Sequence, residues 1–222
     1  SKAVPVPDAV DDAVAGSSLL RGLTAHYLLD GSAHPRAGDP ILVHAGGGGV
    51  GLILTQLAKR RGLTVITTVS SDEKEELSRA AGADHVLRYG EDLSSRVRDL
   101  TDGRGVPVVY DGVGKDTWET SLDCIEPRGL MVSFGNASGP VSGVNLATLN
   151  QKGSLYVTRP SLGIHVNTLA KLQAASEELF DLVLKKKIKV RIDQRYTLEQ
   201  AGEAQTALAG RKTTGATVLM LD

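Results

Sequence analysis

Cysteine is nearly absent: Cys124 stands alone among 222 residues. That excludes an internal disulfide and leaves no thiolate cluster for a structural zinc site. Such sparing use suits a reducing compartment, and the chain is expected to be cytoplasmic. Long hydrophobic runs are missing too. No segment approaches the roughly 20 apolar residues that cross a bilayer, and no charged-then-apolar leader opens the chain. Neither sign of charge is in surplus, since 25 Lys and Arg against 26 Asp and Glu leave a net charge of -1. The long-range attraction of basic proteins to nucleic acid or to a membrane surface is therefore not available, and small molecules are the expected partners. His26, His34, His44, His85 and His165 form no pair at the helical spacing of a zinc protease. Neither Ser133 nor Ser161 sits in a Gly-x-Ser-x-Gly elbow, so metal binding and hydrolase chemistry lack support. Cys124, in the apolar stretch Leu122–Ile125, reads as a small core hydrophobe.

What is present is ordinary globular material, with 41% hydrophobic and 23% charged residues, enough chain for one large or two small domains. Residues 1–11 carry Pro5 and Pro7 and read as a linker. The chain opens Ser1-Lys2 with no initiator Met, and the linker is expected to arrive from an upstream segment. Asp11-Asp12 then cap a helix running through Leu19, Leu20 and Leu23 towards Leu29. From Ile41 short β-branched runs alternate with helical ones. Strands are expected at Ile41–Ala45, Thr64–Val69, His85–Tyr89, Val106–Tyr110, Leu130–Gly135 and Ser154–Thr158. Helices fall near Gly51–Arg61, Lys74–Ala81, Leu93–Leu100 and Thr117–Ile125, stopped by Gly62, Gly82, Gly103 and Gly129. The alternation predicts an α/β fold: a doubly wound parallel sheet of about six strands, the Rossmann fold, with helices on both faces.

After Pro160 the pattern changes. An amphipathic helix over Asn167–Lys187 places Leu169, Leu172, Leu179, Leu182 and Val183 on or near one face, and Lys185-Lys186-Lys187 complement the negative end of its dipole. A strand at Lys189–Ile192, a helix at Leu198–Ala209 and a strand at Ala216–Leu221 follow. That is too little chain for a core of its own. The expected organisation is a linker and the start of a connecting helix over 1–22, a dinucleotide-binding domain over 23–160, and over 161–222 an incomplete C-terminal portion of another domain.

The sharpest motif is His44-Ala45-Gly46-Gly47-Gly48-Gly49-Val50-Gly51. It follows the first strand and opens a helix, and Gly46, Gly48 and Gly51 fit G-x-G-x-x-G. The first glycine permits the tight turn, the second lets backbone approach a pyrophosphate, and the third allows close helix–strand packing. Phosphates would sit on N–H groups at the helix N-terminus, where the dipole favours negative charge. Cofactor choice rests on the end of the second strand, about 20 residues on, which reads Ser70-Ser71-Asp72-Glu73-Lys74. Ser70 and Ser71 offer neutral donors and Lys74 a cation for a 2′-phosphate, which favours NADPH. Asp72 and Glu73 argue the other way, since either would reach a ribose 2′-hydroxyl if the strand ran further.

Longer strings point to one family. They are Gly22-Leu23-Thr24-Ala25-His26-Tyr27-Leu28-Leu29, the run from His44 to Gly51, Val109-Tyr110-Asp111-Gly112-Val113-Gly114, and the run from Arg128 to Gly139. The run from Leu149 to Leu162 and Gly210-Arg211-Lys212-Thr213-Thr214-Gly215 complete them. With these the chain resembles, end to end, the dinucleotide-binding domain and C-terminal part of the zeta-crystallin-type NADPH:quinone oxidoreductases. These are zinc-free members of the medium-chain dehydrogenase/reductase superfamily. The resemblance implies Thr24 and Tyr27 near the nicotinamide and its ribose, and Gly48, Gly49 and Val50 on the pyrophosphate. It also implies Ser70, Lys74 and Tyr89 around the 2′-phosphate, and Gly135, Asn136 and Ser138 along the cofactor. Ser161 and Leu162 would close over the nicotinamide, and Arg211 would reach back to a phosphate. Thr24 as a satisfied helix hydroxyl, Tyr89 as a strand aromatic, Asn136 as a turn residue and Arg211 as a surface charge are the structural alternatives.

The family opens with roughly 100 residues of a GroES-like catalytic domain, and nothing here corresponds to that opening segment; residues 161–222 would be the C-terminal part of the same domain. Gly46 and Gly47 replace small residues such as alanine and are expected to loosen the turn. The implied activity is metal-free transfer of reducing equivalents from NADPH to a quinone, in a homodimer formed through the sixth strand. An NADPH-dependent reductase of enone or enoyl double bonds and a non-catalytic NADPH-binding protein remain as rivals. Because a quinone gains aromaticity on reduction, no side chain is required as a general acid, and no catalytic residue is assigned.

Overall fold

A computed structural model describes residues 3–210 and 212–221 of the chain. Helix α1, Asp12–Tyr27, begins where the Asp11 carboxylate accepts the Val14 N–H at 3.1 Å, as an N-cap aspartate should. It does not run on to Leu29 as a regular helix, because Leu28–Ser32 widens into a single π-helical turn. Gly31 lies there against His165, which an added Cβ would meet at 2.4 Å.

The alternating section follows as expected: β1 Pro40–Val43, α2 Gly49–Arg60, β2 Thr64–Val69, α3 Asp72–Ala80, β3 His85–Arg88, α4 Leu93–Asp99 and β4 Val106–Asp111. Helix α5 Trp118–Cys124 and β5 Ile125–Ser133 come next. A short helix that the sequence pattern did not announce, α6 Leu146–Gln151, precedes β6 Tyr156–Thr158. The six strands form one parallel sheet in the order β3-β2-β1-β4-β5-β6. The order therefore reverses between β1 and β4.

Period-two alternation along each strand feeds two cores, one on each face, as a parallel sheet requires. Ile41, Val43, Val65, Val108, Tyr110 and Val132 meet Leu23 and Leu28, Leu54 and Leu57 of α2, and Leu179. Leu42, Ile66, Leu87, Val109 and Met131 point the other way, onto Leu93 and Val97 of α4 and Leu122 of α5. Each fully buried side chain of this size contributes about 1.5–3 kcal/mol, so the two cores hold the strand ends in fixed relative positions.

Beyond β6 come a short α7 Leu162–His165, also unannounced, and α8 Leu169–Leu184. Helix α8 sits within the expected Asn167–Lys187 helix. It packs along α1, where Gly22 gives way to Leu179: a Cβ on Gly22 would lie 2.5 Å from that side chain. A separate two-stranded parallel sheet, β7 Ile192–Thr197 and β8 Ala216–Met220, is joined by α9 Ala201–Ala209. The strand expected at Lys189–Ile192 is displaced towards the C-terminus, because its partner β8 sets the register from Ile192↔Ala216 to Thr197↔Met220.

Candidate cofactor-binding site

At the C-terminal ends of the strands lies a cavity of about 500 Å³ that crosses the reversal of strand order. Ligands of open α/β sheets bind at this position, where adjacent crossovers leave the sheet in opposite directions and open a crevice. Its walls come from the β1–α2 turn (Ala45, Gly47, Gly48), the end of β2 with α3 (Val69, Ser70, Lys74), Tyr89 after β3, and the loops after β4 and β5 (Val113, Asp116, Thr117, Ala137). Leu208 and Thr213, from the C-terminal segment, close it.

The β1–α2 turn is dictated by close approach. Leaving β1, Ala45 adopts φ 56°, a left-handed conformation costing a non-glycine residue about 1–2 kcal/mol. Its N–H donates to the Tyr89 hydroxyl at 2.9 Å. Gly51 admits no side chain, since a Cβ would stand 2.4 Å from the Ala45 carbonyl oxygen. Gly47 lets the turn rest on the aliphatic stem of Lys74, whose Cβ would be 2.7 Å from an added methyl. Gly46 is not a source of looseness: a Cβ there would meet the Thr67 Cβ at 2.5 Å and the Ser78 Oγ at 2.8 Å. The missing methyl matches a side chain on β2.

Helix α2 begins with Gly48 as its N-cap, so no side-chain oxygen takes up the first-turn N–H groups. Asp11, Ser71 and Thr168 provide that acceptor to α1, α3 and α8. An uncapped glycine-rich N-terminus facing a cavity is suited to an anion.

Beneath the turn lies a buried polar chain. The Ser121 and Thr117 hydroxyls both donate to Asp111 Oδ2, at 2.8 and 2.6 Å. Ser121 Oγ is then left to accept from His44 Nε2 at 2.9 Å, and His44 Nδ1 accepts the Thr68 hydroxyl at 2.8 Å. Asp111 Oδ1 meanwhile accepts the N–H groups of Val113 and Gly114 at 2.7 and 3.0 Å. Burial pushes the His44 pKa down, opposed by the charge of Asp111, so the imidazole is held neutral. The chain ties the ends of β1, β2 and β4 together under the cavity floor. In the sequence His44 has no metal-ligand partner; it is buried, and its hydrogen-bond partners lie 24 and 77 residues away. The spacing offers no signal for them.

Of the residues singled out by resemblance, Gly48, Ser70, Lys74 and Tyr89 line the cavity together. Lys74 Nζ reaches Ser70 Oγ at 3.4 Å. Thr24 donates its hydroxyl to the Leu20 carbonyl at 2.7 Å. Tyr27 is buried and stacks on His165 with ring centroids 4.6 Å apart, bordering a second cleft of about 310 Å³ with His26, Lys171 and Glu178. Gly49 faces Arg21 and the Gly215 carbonyl, and Val50 leans on the first core. Gly135 packs on the Gly112 backbone. Asn136 is exposed, while Ser138 donates to the Val113 carbonyl at 2.9 Å and accepts the Asp116 N–H at 2.9 Å. Ser161 is exposed, with Leu162 half-buried against the first core. Arg211 lies outside the described residues; nearby, Gly215 N–H bonds the Gly47 carbonyl at 3.4 Å.

Residues 49–184 match the family described as zinc-binding dehydrogenase. A quinone oxidoreductase of Pseudomonas aeruginosa is 55% identical over 220 residues, which cover 99% of this chain and 68% of that protein. The chain belongs to the quinone oxidoreductases of this family. The crystal structure of Escherichia coli quinone oxidoreductase complexed with NADPH superposes with a TM-score of 0.95 at 48% identity, over 97% of this chain and 67% of that one. A 2-haloacrylate reductase of Burkholderia is 38% identical, over 98% of this chain and 66% of its own length. The family's description names zinc, yet among the described residues no group of three or more His, Cys, Asp or Glu could hold a metal.

Proposed function

We propose that the protein is an oxidoreductase that draws reducing equivalents from NADPH and passes them to a quinone. The observation that carries this reading is the cavity over the strand-order reversal, whose wall brings together Gly48 at the uncapped start of α2 and Ser70, Lys74 and Tyr89. A dinucleotide phosphate needs this layout: backbone N–H groups for the pyrophosphate and a cation with neutral donors for the 2′-phosphate. The turn that forms the cradle is closely packed, since side chains at Gly47 and Gly51 would meet Lys74 and the Ala45 carbonyl.

When bound, the dihydronicotinamide supplies the hydride. The chain's own residues bind and orient. Lys74 and Ser70 fix the adenosine end, with Tyr89 holding Ala45 in place beside them. The chain from Thr68 through His44 and Ser121 to Asp111 keeps the turn in register with β4. Thr24, Tyr27, Gly49, Val50, Gly135, Asn136, Ser138, Ser161, Leu162 and Arg211 are proposed for the remaining length of the cofactor; apart from Arg211, which is not described, they lie outside the cavity wall.

The domain division at residue 160 belongs to the same proposal, supported by the separate β7–β8 sheet, although α8 shares the first core. So does a homodimer through β6, an edge strand whose Tyr156 and Val157 are exposed. No described helix is long and apolar enough to cross a membrane, and a cytoplasmic site is proposed from the lone cysteine. Reduction of an activated carbon–carbon double bond is a second reading, favoured by the 2-haloacrylate reductase relative.

The test is a binding titration of Lys74→Ala with NADPH and with NADH, paired with turnover of a quinone and of a 2-haloacrylate. Losing a charge-assisted contact of about 1.5–3 kcal/mol should weaken NADPH more than tenfold and spare NADH. Equal loss of both would refute the 2′-phosphate assignment.

A further inference from the structure

Helix α3 presents a problem for a phosphate-binding site, because Lys74 is surrounded in sequence by Asp72, Glu73, Glu75 and Glu76. A 2′-phosphate carries about -1.5 to -2 at neutral pH, and the N-terminus of α3 would otherwise set it among like charges. The structure answers with a residue outside the cavity wall. Arg88, the last residue of β3, sits beside Val69 in the sheet register. Leu87 enters the second core, and Tyr89 lines the cavity. Arg88 lies between them in the alternation and shares its face with Val86, which packs on Val69 and Ala83. Its guanidinium is ion-paired with both Asp72 and Glu75, the latter at 2.9 Å. These two acids, three residues apart, share one face of α3, and Lys74 falls off that face. Arg79 joins the cluster at 2.8 Å from Glu75. The hydrogen bond from Arg79, aided by the charges of Arg79 and Arg88, holds the Glu75 carboxyl below the usual carboxylate range.

We infer that Arg88 is a specificity-determining residue of the cofactor site: by neutralising Asp72 and Glu75 on the far face of α3, it lets Lys74 select NADPH over NADH without itself contacting the cofactor. This rests on the 2′-phosphate reading proposed for Lys74. The acid at the end of β2 that would otherwise favour a ribose hydroxyl is thereby turned into one half of an ion pair.

The experiment measures dissociation constants for NADPH and NADH by fluorescence titration at low salt. Arg88→Gln should weaken NADPH roughly two- to fivefold, the scale of surface ion pairs, the Asp72 side chain being fully exposed, and leave NADH unchanged, which also reports an intact fold. The difference should shrink as salt is raised. Adding Asp72→Asn and Glu75→Gln to Arg88→Gln should restore the NADPH-to-NADH ratio. With Arg88 intact, Asp72→Asn with Glu75→Gln should hold or raise that ratio, and a fall would overturn the inference even if Arg88→Gln failed to fold. Equal weakening of both cofactors by Arg88→Gln, or no recovery in the triple variant, would also overturn it. Lys74→Ala in the same series separates the two levels. If it abolishes the preference while Arg88→Gln does nothing, only the role of Arg88 fails; if it leaves the preference intact, the 2′-phosphate reading and this inference fall together.

Discussion

Adding one methyl group at Gly46 measures how tightly the dinucleotide turn is fitted to the strand beside it. The new Cβ would lie 2.5 Å from the Thr67 Cβ, 2.8 Å from Ser78 Oγ and 2.9 Å from Thr67 Oγ1, against about 3.5–4.0 Å for comfortable carbon contact. Thr67 and Ser78 are fully buried and hydrogen-bonded to each other at 2.7 Å. Neither has anywhere to go. Gly46→Ala is therefore expected to destabilise by about 1–3 kcal/mol, the usual cost of overpacking. Thr67→Gly alone should cost about 2 kcal/mol by opening a cavity and placing glycine in a central strand. In the double variant the methyl added by Gly46→Ala occupies the space Thr67 vacates. The two changes should then fall short of their sum by about 1–2 kcal/mol. Urea unfolding of the four proteins, with m-values unchanged, provides the comparison. Additivity within about 0.5 kcal/mol, or a neutral Gly46→Ala, would refute the reasoning.

Other perturbations probe the same architecture. Gly51→Ala drives a methyl into the Ala45 carbonyl oxygen at 2.4 Å; backbone cannot step aside as a side chain can, so nucleotide affinity should drop by more than tenfold in a titration. His44 is held neutral by burial, so its folded pKa lies below the unfolded value of about 6.5. Below that pH the unfolded chain binds the extra proton, and stability should fall with pH by up to about 1.4 kcal/mol per unit. His44→Gln, though less stable at pH 7.5, should show a shallower fall between pH 7 and pH 5 in urea melts; parallel curves would count against a neutral buried imidazole. Burial, reinforced by Asp123, pushes the Cys124 thiol up to about 12. Alkylation at pH 8 should then be negligible in the folded protein and complete in denaturant, and rapid labelling without unfolding would contradict its place in the second core.

The packing around Gly46 shows where reading residues in order runs out. Its neighbours, Thr67 and Ser78, are distant in sequence, and nothing local says that a missing methyl at one point answers a threonine at another. The strands were legible because a sheet buried on both faces imposes runs such as Thr64–Val69. The start of α1 was legible because Asp11 caps it from a few residues away, whereas α3 begins at Asp72, two residues before the expected Lys74, because the Ser71 hydroxyl oxygen accepts the Lys74 N–H. Helices α6 and α7, of six and four residues, are too short to show a period. The displaced β7 takes its limits from β8.

For the site, the glycine turn and Lys74 could be found from the chain alone, since a turn and a helix start are made by neighbours in sequence. Which wall residues join them, Val113, Asp116, Thr117, Ala137, Leu208 and Thr213, follows only from the strand order and the return of the C-terminal segment. Local chemistry determined that a dinucleotide could be held here. The pairing of Arg88 with Asp72, of Thr68 with His44 and of Gly46 with Thr67 was decided by the register between strands, because charge, hydrogen bonding and volume act through space at a few ångströms, whatever the distance along the chain.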